Sequence, residues 1–127
     1  MPSRSFGPRC VAALLAATLS LAGGARAQDA GPGSLPARYD AAFQETLRDP
    51  ANLDALFRFA SLAVESGDLE GAVSALERML ILNPDQPRVR IELGVLYFRL
   101  GSYPAARSYL ETALASTRSE EHTSELQ

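Results

Sequence analysis

The chain has 127 residues, 46% hydrophobic and 21% charged, with formal net charge −3, one Cys, one His and no Trp. All 12 basic residues are Arg, and the Cys and His fall at Cys10 and His122, near the two ends. A length of this order holds a single domain, and so few Cys and His leave little for metal binding or nucleophilic catalysis.

Arg4 and Arg9 make a basic start, Cys10 to Gly24 is an uncharged stretch rich in Ala and Leu, and Ala25-Arg26-Ala27 sets small residues three before and one before a cut. That order predicts a secretory signal over 1–27, cleaved after Ala27. The apolar run is short of the ~20 residues of a spanning helix. The mature chain is therefore expected outside the cytoplasm, in a bacterial periplasm. Without Cys it forms no disulfide there.

Residues 28–37 (Gln-Asp-Ala-Gly-Pro-Gly-Ser-Leu-Pro-Ala) read as a flexible Gly/Pro linker. Residues 38–48 carry Tyr39, Ala42, Phe43 and Leu47 at helical spacing, followed by Asp49-Pro50, and predict a capping helix. Beyond it the sequence repeats every 34 residues: Pro50 with Pro84, Leu62 with Leu96, Gly67 with Gly101, Ala72 with Ala106, Leu76 with Leu110 and Leu80 with Leu114. A period of that length with two helices per unit is a stacked-repeat signature.

The pattern resembles the tetratricopeptide repeat. One unit spans 53–86 and an incomplete one 87–117. The residues that define the resemblance are Ala60, Gly67, Ala72 and Pro84 in the first unit, and Gly94, Tyr97, Gly101 and Ala106 in the second. Leu56 and Arg90 stand where the family often has Trp, Met79 replaces a late Ala, and Arg118 stands where the second unit's terminal Pro is expected. The resemblance implies an all-α fold of antiparallel helix pairs stacked into a short right-handed solenoid.

Periodicity alone gives the same elements. Val89, Leu93, Leu96, Tyr97 and Leu100 share one face of the second unit's first helix; Ala106, Leu110, Ala113 and Leu114 share one face of its second helix. Gly67 and Gly101 are placed to end helices, with Asp68 and Ser102 to cap the next ones. About three units make a stable stack, so Leu110 and Leu114 are expected to be poorly covered in so short an array.

Arg118 to Gln127 has no apolar periodicity and equals the in-frame translation of a common sequencing adapter. These ten residues are expected to be foreign to the protein. Without the signal and this tail 90 residues remain, with no Cys, His or Lys and a formal charge of −4. That excludes a basic nucleic-acid surface and argues against direct membrane insertion by the mature part. No phosphate-binding loop, nucleophile elbow or metal-ligand spacing is present, so no catalytic residue, metal or cofactor is assigned.

The resemblance places groove positions at Asp54, Phe57, Arg58, Ser61, Val64 and Glu65, then at Arg88, Ile91, Glu92, Val95, Phe98 and Arg99. Of these, Phe57, Arg58, Ser61, Arg88, Ile91, Val95, Phe98 and Arg99 are the candidate partner-binding residues. Ile91, Val95 and Phe98 form a second apolar face, which either packs on a neighbouring repeat or receives a helical or apolar partner segment. Arg58, Arg88 and Arg99 either meet acidic partner groups or pair on the surface, as Arg88 with Glu92 at i, i+4. The Lys/Asn/Arg carboxylate clamp of the family's chaperone-tail binders is absent, since Phe57, Ile91, Ser61 and Val95 take several of its positions. The expected function is a non-catalytic interaction scaffold for a protein or peptide. The alternative is the periplasmic repeat part of an outer-membrane β-barrel export protein, to which the repeats would be tethered.

Overall fold

A computed structural model describes residues 31–125; the expected signal over 1–27 and the first residues of the linker lie outside the described residues. Five helices follow one another: α1 (Leu35–Arg48), α2 (Leu53–Ser66), α3 (Leu69–Leu82), α4 (Pro87–Arg99) and α5 (Tyr103–Ser124). Each packs on its neighbours in sequence, α1 on α2, α2 on α3, α3 on α4 and α4 on α5, and no strand occurs among the described residues. This is the all-α helix-pair solenoid that the 34-residue period predicts.

The turns follow from their residues. Gly67 (φ 83°) and Gly101 (φ 77°) are left-handed. Asp68 N–H then reaches back to Ala63 O at 2.8 Å, and Ser102 N–H to Tyr97 O at 2.9 Å, closing α2 and α4 in the same way. Asp68 caps α3 by accepting from Gly71 N–H at 2.9 Å. Ser102, expected to do the same for α5, occupies the cap position but accepts no such bond. Pro104 lies in the first turn and removes one of the N–H groups a cap would serve. Between α3 and α4, Gln86 donates to Asn83 O (2.8 Å) and to Met79 O (3.1 Å), which also accepts from the Asn83 N–H, so the turn is tied to the end of α3.

Two boundaries differ from the sequence reading. Helix α1 starts at Leu35, inside the expected linker, with Ser34 accepting from Ala37 N–H and Pro36 in the first turn. A Pro read as linker chemistry is equally suited to an opening turn, where its missing N–H costs nothing. Helix α5 runs past Thr117 to Ser124. Arg118 to Ser124 holds no Gly or Pro to stop a helix, and every residue from Arg118 to Glu125 is exposed.

The core runs along the stack through Leu56, Phe59, Ala60, Ala63, Ala72, Leu76, Met79, Val89, Leu93 and Leu96. Gly94 is buried because α4 and α5 approach closely there: an added Cβ would lie 2.5 Å from Leu110 Cγ and 3.3 Å from Ala106 O. Leu110 and Leu114 are exposed, as expected. So are Phe43 and Leu47 of α1, which leaves Tyr39 and Ala42 as the covered residues of the expected capping face.

Candidate functional site

Helices α2 and α4 present their outer faces on one side of the stack. Two clefts open there. One, of about 690 Å³, lies between α1 and α2 and is lined by Arg38, Glu45, Asp54, Phe57, Arg58 and Glu65 among others. The second, of about 240 Å³, lies between α2 and α4, with Phe57, Ala60, Ser61, Val64, Leu76, Glu92 and Leu96 around it. Phe57 and Ser61 line both, so they form the ridge between the clefts.

The Arg88 guanidinium of α4 sits 5.4 Å from the centre of the Phe57 ring of α2, tying the two repeats across the second cleft. Expected pairing of Arg88 with Glu92 is replaced by this contact: the Phe57 face is within reach across the repeat boundary. Arg58 is also engaged, donating to Glu45 Oε2 at 2.6 Å, and Arg38 approaches Glu65 at 3.9 Å. These α1–α2 pairs rim the first cleft with both signs of charge. Ser61 donates to Phe57 O at 2.9 Å, a bond within its own helix, and remains exposed.

Phe57, Arg58 and Ser61 thus line the clefts, and Arg88 joins them through the Phe57 ring alone. Ile91, Val95, Phe98 and Arg99 stand apart: all four are exposed and line neither cleft. Ile91, Val95 and Phe98 stand one period after Phe57, Ser61 and Val64. They are the second repeat's copy of a wall whose opposite side, in the first repeat, is α4. Phe98 touches Tyr103 of α5 instead, at 5.3 Å between ring centres.

Tyrosine–carboxylate latches, which the sequence reading missed, fix the helices behind the clefts. Tyr39 donates to Asp68 Oδ2 at 2.6 Å, joining α1 to the α2–α3 turn. That bond, with burial, raises the Tyr39 pKa, and together with the Gly71 N–H it holds the Asp68 carboxyl below its ordinary value. Tyr97 donates to Glu77 Oε1 at 2.6 Å and Tyr109 to the same oxygen at 3.2 Å. The two rings stack at 5.6 Å. The Glu77 bond, with burial and the nearby carboxylate charge, pushes the Tyr97 pKa up to about 12. Among the described residues no group of three or more His, Cys, Asp or Glu is placed to hold a metal ion, and no helix is long and apolar enough to cross a membrane.

The tetratricopeptide repeat profile matches residues 49–126, well over half of the chain. The chain belongs to the tetratricopeptide repeat family. No curated protein matches it. Among solved structures it is similar to a crystal structure of MamA (TM-score 0.63, 20% identity, 69% of this chain covered). It is also similar to a second MamA structure, MSR-1 C2 (TM-score 0.59, 19% identity, 68% covered). The chain spans about half of each, 52%. At such identities these likenesses show the shared tetratricopeptide solenoid. Proteins of this family are generally non-catalytic scaffolds for other proteins.

Proposed function

We propose that this chain is an exported, periplasmic interaction scaffold that holds a segment of a partner protein along the α2–α4 face. The observation that carries the reading is the ridge of Phe57 and Ser61 shared by two adjoining clefts. Phe57 offers an apolar surface already held in place by Arg88, so little ordering cost is left for the partner to meet. The mixed charges of Arg38, Arg58, Glu45, Asp54 and Glu65 around the first cleft suit a polar, charged peptide flank. The apolar second cleft suits a single apolar side chain.

Export rests on the order of basic start, apolar run and Ala-Arg-Ala over residues 1–27. The same signal ahead of a short array also fits repeats that present cargo or machinery to an outer-membrane barrel. N-terminal sequencing of the mature protein tests the export step, with Gln28 as the expected first residue and an intact Met1 as the opposing one. For the binding step, a peptide selected from a display library on the chain is titrated against Ser61→Arg. Ser61 is exposed, so the Arg fills the clefts without entering the core. Affinity is expected to fall tenfold or more; unchanged affinity would move the site elsewhere.

A further inference from the structure

Helix α2 carries three charges, Asp54, Arg58 and Glu65, and one 34-residue period later α4 carries Arg88, Glu92 and Arg99. Every sign is reversed at the matched position: negative, positive, negative on α2 and positive, negative, positive on α4. All six residues are exposed. The positions between them match as well, Phe57 with Ile91, Ser61 with Val95 and Val64 with Phe98.

The reversal is not consumed within the chain. Among the described residues no ion pair joins α2 to α4. Arg58 turns to Glu45 of α1 at 2.6 Å, Glu65 meets Arg38 of α1 at 3.9 Å, and Arg88 rests on the Phe57 ring. The apolar strip of α4 is equally unspent, with Ile91 46%, Val95 47% and Phe98 62% exposed.

As the first helices of successive units, α2 and α4 run side by side in the same direction. A twofold axis parallel to both, midway between them in the plane of contact, lays α2 of one chain over α4 of another with matched positions opposite each other. Each reversed sign then becomes an attraction. Asp54 faces Arg88, Arg58 faces Glu92 and Glu65 faces Arg99, and symmetry makes each pair twice. Phe57 faces Ile91 and Val64 faces Phe98 in the same register. No like charges are set against each other, the condition that electrostatic complementarity demands of a specific partner. The Arg58 guanidinium has donors enough to keep Glu45 and serve Glu92 of the other copy.

We infer that the α2–α4 face receives a second copy of this chain, in an isologous face-to-face dimer. The inference rests on that face being a binding surface, and it makes the dimer and a bound segment alternatives at one site. Ile91, Val95, Phe98 and Arg99, which line neither cleft, are then contacts to the other copy.

Sedimentation over a range of concentrations tests this with two single variants. The original chain is expected to dimerise at or below about 1 mM. Arg99→Glu sets carboxylates against each other at both symmetric contacts, and Glu65→Arg sets guanidiniums against each other. Each is expected to weaken the dimer tenfold or more. Both positions are exposed, and an unchanged circular-dichroism spectrum verifies the fold. Mixed in equal amounts, the two variants restore opposite signs at both contacts, so a heterodimer close to the original affinity is expected. A chain still monomeric at about 1 mM, a dimer indifferent to both substitutions, or variants that disperse the dimer and do not pair when mixed overturns the inference. The peptide titration keeps the two readings apart. A selected peptide that binds a chain with no dimer removes the dimer alone, and a dimer in a chain that selects no peptide removes the segment reading alone.

Discussion

The Arg88 guanidinium of α4 lies 5.4 Å from the centre of the Phe57 ring of α2, across the boundary between the two repeats. Contacts of this kind contribute about 0.5–1 kcal/mol at exposed sites. In a double-mutant cycle, Arg88→Ala and Phe57→Leu are each expected to destabilise, with a coupling of about 0.5 kcal/mol between them. A coupling of zero by chemical denaturation would show that the two residues act separately.

Tyr97→Phe removes one of two hydroxyls that Glu77 Oε1 accepts. The expected loss is about 1 kcal/mol, since Tyr109 still reaches the carboxylate and the site is only partly buried. The same bond gives the protein an alkaline limit. Tyr97 titrates near 12 in the fold against an ordinary value of 10.0. Above the ordinary value the unfolded chain has lost a proton that the folded chain keeps, so stability falls as pH rises from about 10 toward 12. Tyr97→Phe should flatten that part of the curve, which thermal melts in a pH series would reveal.

Asp68 serves two partners, the Gly71 N–H as a helix cap and the Tyr39 hydroxyl as a tie to α1. Asp68→Ala is expected to cost about 1–2 kcal/mol, and Asp68→Asn less, because the amide oxygen still caps. The carboxyl is held below its ordinary 3.8. Its contribution is therefore complete above that value and is lost as pH falls through the lower, folded one. An acid-unfolding curve that Asp68→Asn leaves unchanged would remove this role.

Gly94 has no room for a side chain. A Cβ there would stand 2.5 Å from Leu110 Cγ and 2.7 Å from Leu110 Cδ2. Because Leu110 is partly free to turn away, Gly94→Ala is expected to cost about 1 kcal/mol and Gly94→Leu 3 kcal/mol or more, roughly the upper range for overpacking. Near wild-type melting of Gly94→Leu would mean that α4 and α5 separate more easily than their close approach implies.

Much of the fold was legible from residue spacing. Gly67 and Gly101 each announce a helix end that only a residue without Cβ adopts easily, and both adopt it. Gly94 near Ala106 announces the close helix crossing. The exposed Leu110 and Leu114 follow from the missing cover over the second unit. The spatial grouping of the candidate site residues was legible in part. Phe57, Arg58, Ser61 and Arg88 lie near one another, whereas Ile91, Val95 and Phe98 occupy matching positions in a repeat with no wall opposite them among the described residues. Sequence periodicity assigns a residue to a face, but what stands across from that face depends on the next unit. The latches escaped for another reason. Tyr39 and Asp68 lie 29 residues apart, and Tyr109 and Glu77 lie 32 apart. A tyrosine at a helix's inner face reads as plain core until its hydroxyl's partner is located in space. Arg58 and Glu45, 13 apart and on successive helices, are likewise invisible to an i, i+4 search.

The central claim is that a partner segment lies on the α2–α4 face with Phe57 and Ser61 at its centre. Amide shift mapping of the labelled chain, titrated with a selected peptide, tests it most directly. The account predicts the largest perturbations at Phe57, Ser61, Val64 and Glu92, with Leu47 and Ile81 unmoved. Perturbations centred on Leu47 and Ile81, with Phe57 and Ser61 silent, would contradict it.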